Sequence, residues 1–291
     1  MTDKSSSKTG TDLNDPGGLR ARPIGVFDSG IGGLTVVREL RRCLPGEDIL
    51  YFGDTARVPY GTKSPETVIR FSRESLIFLS RRDVKLVVVA CNTASAIALP
   101  VLQETVSVPM IGVILPGVAA ALKASRSRRV GVVGTEATIG SGAYERALRK
   151  ADGELFIAQQ SCPLFVPLAE EGWVDGDVPH LVAHHYLDPV MRDGIDTLIL
   201  GCTHYPMLRN VISQVVGASI RLVDSAEETA RETAALLRRT GAENPRAHGG
   251  ICRVFVSDTA QRFESIGSAF LGEQLESVTV VDQSDLPWYE R

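Results

Sequence analysis

Two cysteines, Cys91 and Cys202, stand in matching surroundings in this 291-residue chain. Each ends an apolar run, Val87-Val88-Val89-Ala90 before Cys91 and Leu198-Ile199-Leu200-Gly201 before Cys202. Each is followed by small polar residues, Asn92-Thr93-Ala94-Ser95 in one case and Thr203-His204 in the other. A single cysteine after a strand is ordinarily a small buried hydrophobe. Packing alone gives no reason to repeat it, with a threonine-bearing polar turn, in both halves of a chain. Backbone N–H groups at the start of a following helix stabilise a thiolate at such a turn. Two thiols on opposite sides of one carbon form an acid–base pair. The thiolate removes a proton from one face, the thiol delivers one to the other, and the centre inverts. The partners must hold opposite protonation states, so the rate should trace a bell against pH.

Other residues suit supporting roles. Asp28-Ser29-Gly30 follows the first apolar run; Asp28 is a base partner or orients a thiol, and Ser29 with the glycines offers donors to a carboxylate. Gly30-Ile31-Gly32-Gly33 invites a dinucleotide reading, with Asp54 as a ribose-binding acid, but Thr35 stands where that fingerprint needs a third glycine. No P-loop sequence is present, and no cofactor is expected. Pro59-Tyr60-Gly61 reads equally as a simple turn or as a lid presenting N–H groups and the Tyr60 hydroxyl to an anion. His204, two residues beyond Cys202, is suited to partner that thiol, and Glu170 lies on a mid-chain helix. His180, His184 and His185 include a helical i,i+4 pair, but no HExxH pattern surrounds them, so no metal is expected. Cys43, Cys162 and Cys252 lack a repeated polar turn and read as structural.

The elements that must position these residues alternate. Short runs at 24–27, 49–52, 86–90, 110–114, 130–133, 197–200, 220–223, 253–256 and 278–281 read as strands, most of them apolar throughout, as in parallel sheets covered on both faces. Amphipathic patterns at 34–43, 65–82, 94–104, 117–125, 142–151, 177–192, 206–216, 226–240 and 260–271 read as helices. Ser64-Pro65 marks one helix start, and Ser225 with Glu228 forms a capping box at another. The pattern predicts an α/β fold of two similar modules facing each other, with both cysteines in the cleft beyond the carboxyl ends of the strands.

Composition narrows the function class. The chain has room for about two domains. Lys+Arg total 31 against 35 Asp+Glu, a net charge of −4, which argues against nucleic-acid binding. Five scattered cysteines without a CxxC pair argue against a disulfide scaffold and for a reducing, cytoplasmic setting. Residues 1–22 read as a disordered polar tail without a signal peptide's apolar core, the fold starting near Pro23. The longest apolar stretch, 108–122, is too short and too interrupted by Pro and Gly to span a membrane.

The set Gly25-Val26-Phe27-Asp28-Ser29-Gly30-Ile31-Gly32-Gly33-Leu34, Tyr51-Phe52-Gly53-Asp54, Pro59-Tyr60-Gly61, Ala90-Cys91-Asn92-Thr93-Ala94-Ser95, Gly131-Val132-Val133-Gly134-Thr135 and Gly201-Cys202-Thr203-His204-Tyr205-Pro206 resembles the glutamate racemases of the aspartate/glutamate racemase family, in order and spacing, from about Pro23 to the Leu271 region. The resemblance implies two flavodoxin-like parallel-sheet domains related by a pseudo-twofold axis, 23–114 with 223–291 and 115–222, with the active site in the cleft between them. It implies cofactor-independent interconversion of L- and D-glutamate for peptidoglycan. In that scheme Cys91 deprotonates D-glutamate and Cys202 L-glutamate. Asp28 assists Cys91; His204 and Glu170 assist Cys202, with Glu171 as the alternative acid. Asp28, Ser29, Tyr60, Gly61, Asn92, Thr93, Thr135, Thr203 and His204 hold the substrate. The partners implied are glutamate and, as one assembly open to the family, a second copy of the chain; neither nucleic acid nor membrane is expected. The competing readings are a racemase for aspartate or a related acid, and a non-catalytic regulatory binding protein.

Overall fold

The computed structural model describes residues 16–275 and 277–281. Among these, ten strands form two wholly parallel sheets. They are β1 (Ile24–Asp28), β2 (Ile49–Gly53), β3 (Leu86–Val89), β4 (Met110–Gly112), β5 (Arg129–Gly134), β6 (Phe156–Ser161), β7 (Thr197–Gly201), β8 (Arg221–Asp224), β9 (Cys252–Val256) and β10 (Val278–Val280). The first sheet runs β10-β9-β2-β1-β3-β4 and the second β6-β5-β7-β8. Counted within its own sheet, each module therefore has its first strand between its second and third. That is the flavodoxin-like arrangement, and its switch point lies between the first and third strands. The chain crosses to the second sheet through the helix Ile114–Ala124 and returns through the helix Ser225–Thr240.

Alternation along each strand divides the core. Ile24 and Val26 face one apolar layer with Leu34, Leu40, Leu237 and Phe270, while Phe27 faces the opposite layer with Phe52, Phe78 and Leu79. In the second sheet Leu198 and Leu200 point to one layer and Ile199 to the other. Successive side chains on a strand point to opposite faces, so strands covered on both sides carry unbroken apolar runs. This explains why these strands are legible as such runs.

Several local expectations change. β6 is an extra strand: as an edge strand paired only with β5 it carries Gln159, Gln160 and Ser161 and shows no apolar run. The helix expected at 94–104 is two, Asn92–Ile97 and Leu99–Leu102, because Pro100 lacks the N–H needed to continue and opens the second. Ser64 caps its helix as expected, accepting from Thr67 N. The cap at the other predicted start is Asp224 rather than Ser225. Asp224 has extended backbone and accepts from Ala226 N at 2.9 Å, while Ser225 Oγ donates to Leu200 O. Of the stretch expected as a disordered tail, residues 1–15 lie outside the described residues, but Pro16–Ala21 is a helix. It is tied down because Arg20 Nε donates to Gly241 O and the buried Lys85 Nζ donates to Arg20 O at 2.9 Å. Among the described residues no helix is long and apolar enough to cross a membrane.

Candidate active site

The strand ends gather the chemistry. β1 ends at Asp28 and β3 just before Cys91; β5 ends before Thr135 and β7 before Cys202. Each cysteine thus follows the third strand of its sheet, beside the end of the first, at the switch point where parallel α/β sheets place ligands. Both are nearly enclosed, Cys91 5% and Cys202 6% exposed. No disulfide joins any of the five cysteines, and Cys162 is buried in the core of the second sheet.

The two sulfurs sit in opposite electrostatic settings. Cys91 caps the helix Asn92–Ile97: its Sγ accepts from Ala94 N at 3.5 Å and donates to Ser29 Oγ at 3.5 Å. Burial, reinforced by the negative charge of Asp28, pushes the Cys91 thiol up to about 12 against the pull of those two contacts. The charge of Cys202 adds to the rise, so the sulfurs feel each other across the cleft. Cys202 Sγ lies 3.8 Å from His204 Nδ1, and His204 Nε2 is 3.1 Å from Glu170 Oε1. Burial pulls the imidazole down, but the bonds to Cys202 and Glu170 prevail and raise it to about 10. His204 therefore holds Glu170 below its ordinary range. Near neutrality the site presents a thiol at Cys91 and an imidazolium beside Cys202.

Between them lies Asp28, fully buried, its Oδ2 accepting from Gly30 N at 2.9 Å and its Oδ1 from Thr203 Oγ1 at 3.5 Å. Burial raises Asp28, with the His204 charge and the Gly30 and Gly33 N–H groups opposing. Glu170, not Glu171, meets His204; Glu171 is 64% exposed and pairs with Arg262 at 3.2 Å.

The glycine-rich turn has a steric purpose. A Cβ on Gly32 would lie 2.3 Å from Thr203 Oγ1 and 2.5 Å from His204 Nδ1. This turn therefore docks against the Cys202 loop, and Thr35, at the place of the missing third glycine, donates to Thr203 O at 3.0 Å. Asp54 is likewise occupied. It is fully buried and accepts from Tyr60 OH, Arg57 Nε and Ser257 Oγ, which leaves it no ribose to bind. Gly32→Ala is expected to force the two loops apart. Activity should fall by about 100-fold with a melting temperature lowered by only a few degrees. A variant with parent activity would show that the contact is dispensable.

The remaining predicted residues are distributed unevenly. Thr93 and Thr135 come together, Oγ1 to Oγ1 at 3.0 Å, and both bond the buried Thr138, at 3.1 and 2.9 Å. Gly61 packs against Thr135, where a Cβ would come within 2.8 Å. Asn92 Oδ1 accepts from Tyr144 OH at 2.7 Å. The Tyr60 hydroxyl is not presented by a lid: it is buried and donates to Asp54, because a buried phenol must find an acceptor. His180 bonds Gly176 O and Gln214, and His184 pairs with Asp188. Sequence reading missed Thr138, Tyr144 and the role of Thr35. Thr138 had a local signal, since Thr135-x-x-Thr138 is a capping spacing; Tyr144 had none.

A sequence profile described as Asp/Glu/Hydantoin racemase matches residues 24–233. A glutamate racemase of Geobacter metallireducens is 55% identical over 257 residues, 88% of this chain and 95% of that protein. Among solved structures, a glutamate racemase isoform of Bacillus anthracis superposes with a TM-score of 0.87 at 42% identity, covering 90% of this chain and 98% of that one. A Francisella tularensis glutamate racemase, solved with D-glutamate, gives 0.84 at 40% identity, with 90% and 98% covered.

Proposed function

The chain belongs to the Asp/Glu/Hydantoin racemase family, and from that premise we propose that it interconverts L- and D-glutamate with Cys91 and Cys202 as the two acid–base groups. The observation that carries the reading is the opposed setting of the two sulfurs at equivalent strand ends: a thiol held up to about 12 and a sulfur 3.8 Å from an imidazolium.

In the L-to-D direction Cys202, as thiolate, takes the Cα proton, and Cys91, as thiol, gives its proton to the opposite face. The reverse direction starts from the exchanged protonation states. His204, anchored by Glu170, stabilises the thiolate at Cys202, whereas Asp28 assists Cys91 in the opposite sense, its negative charge holding that sulfur as the proton-bearing thiol. Removing an α-proton moves charge onto the substrate's carboxylate, so donors aimed at that carboxylate lower the barrier most in a dry site. Ser29, Asn92, Thr93, Thr135 and Thr203, with the backbone at Tyr60 and Gly61, supply those donors and hold the distal carboxylate. From the enclosure of both sulfurs we infer that the two lobes separate to admit substrate and close on it. We place the product in peptidoglycan synthesis, in a reducing cytoplasm where both thiols persist.

The test is Cα exchange in deuterium oxide with purified protein. L-glutamate should gain deuterium and drift to an equal mixture of enantiomers, while L-aspartate stays largely unlabelled. No exchange into glutamate, or faster exchange into aspartate, would overturn the reading.

A further inference from the structure

Asn92 and Tyr144 meet across the two sheets. Asn92 opens the helix that follows Cys91; Tyr144 lies on the helix Ala143–Ala151, packed on the second sheet. Both are buried, and the Tyr144 hydroxyl donates to Asn92 Oδ1 at 2.7 Å. The Tyr144 ring covers Gly201, where a Cβ would stand 3.0 Å from it, so the residue before Cys202 makes room for the ring. Ser225, at the start of the helix that returns to the first sheet, donates to Leu200 O at 3.1 Å. Burial holds the phenol well above its ordinary range, so it remains a donor at any working pH.

Asn92 Nδ2, in contrast, is buried with no hydrogen-bond partner among the described residues. A buried donor left unpaired costs about 1–3 kcal/mol, a cost a ligand's acceptor would remove. An amide is also two-faced: a half-turn about its last torsion exchanges donor for acceptor. Presented the wrong way, its oxygen would oppose a carboxylate.

We propose that Tyr144 is a positioning residue which, by engaging Asn92 Oδ1 from the opposite lobe, fixes the amide so that Nδ2 faces a carboxylate of the substrate. The donor is then fully set only when the lobes are together, which links closure to substrate recognition. This assignment rests on the glutamate-racemising reading above.

The experiment is a double-mutant cycle on the full chain, Tyr144→Phe, Asn92→Ala and the pair, read by kcat/KM for L-glutamate and by calorimetric binding of D-glutamate. Tyr144→Phe should lose about tenfold in kcat/KM and bind D-glutamate more weakly, Asn92→Ala should lose about 100-fold, and the double variant should be no worse than Asn92→Ala. A Tyr144 that merely supports packing would give additive losses, and additivity, or a parent-like Tyr144→Phe, overturns the proposal. Asn92→Asp guards against a folding defect in the tyrosine variant. It keeps the acceptor for Tyr144 and replaces the donor, so it should melt like the parent and fall below Asn92→Ala; parent activity there would overturn the donor role. A parent that binds glutamate without racemising it overturns the activity reading and leaves the cycle readable by calorimetry. A parent that does neither overturns both.

Discussion

Replacing either active-site sulfur, Cys91→Ala or Cys202→Ala, is expected to lower kcat/KM for glutamate racemisation by about 10³-fold or more, by the same factor from either enantiomer. The equality is thermodynamic: the enantiomers have equal free energy in solution, so the two kcat/KM values cannot diverge. The size follows from removing the group proposed as the acid–base catalyst on one face of the carbon, where the site is too enclosed for bulk water to substitute. What distinguishes the variants is exchange without inversion. Cys202→Ala should still wash deuterium slowly into D-glutamate through Cys91, and Cys91→Ala into L-glutamate through Cys202. The Cys91-dependent exchange should need alkaline solution, because burial and Asp28 hold that thiol at about 12. Chiral separation with mass detection reads both quantities. Parent turnover in both directions by either variant would remove the two-thiol mechanism.

His204→Gln is expected to cost about 10²–10³-fold in kcat/KM near neutrality and to move the acid limb of the L-to-D profile upward in pH. Glutamine keeps much of the shape and a polar contact to Glu170 but carries no charge, so Cys202 loses the cation 3.8 Å away on which the proposed mechanism relies. The stability of the fold should respond as well. His204 rises on folding, from an ordinary value of about 6.5 to about 10. Its charged contacts therefore stabilise the protein fully below the lower value and lose that contribution as pH rises through the higher one. Thermal melts of parent and variant should differ most at pH 6 and converge above pH 10. A parent-like rate profile would assign the Cys202 thiolate to some other group, and a melting difference that does not change with pH would mean that His204 is not charged in the folded protein.

The parallel strands were legible because burial on both faces writes each of them as an apolar run, and the edge strand β6 was not, because its half-buried second half is Gln159, Gln160 and Ser161. The cysteines were legible because the repeat of a fold module repeats its switch point. The site around them was only half legible. Glu170 and Glu171 are neighbours of one residue type, and only the end of the helix Phe165–Glu170 decides which of them faces His204, Arg262 lying within reach of both. Tyr60 stands in a motif that invites a ligand, yet its hydroxyl belongs to Asp54, six residues earlier.

The chain by itself thus determined the α/β class, the duplicated module, the two sulfurs and the residues flanking them, since each of these is written in local order: strand, turn, helix. Tertiary structure decided how they act. The contact of Gly32 with Thr203 and His204, the bond from Tyr144 to Asn92 and the joining of Thr93 to Thr135 and Thr138 are each made between segments far apart in sequence. The physical reason is that protonation and donor direction depend on burial and on the charge across the cleft. The same two thiols in water would be alike, and only the folded lobes hold one as an acid and set the other beside a cation.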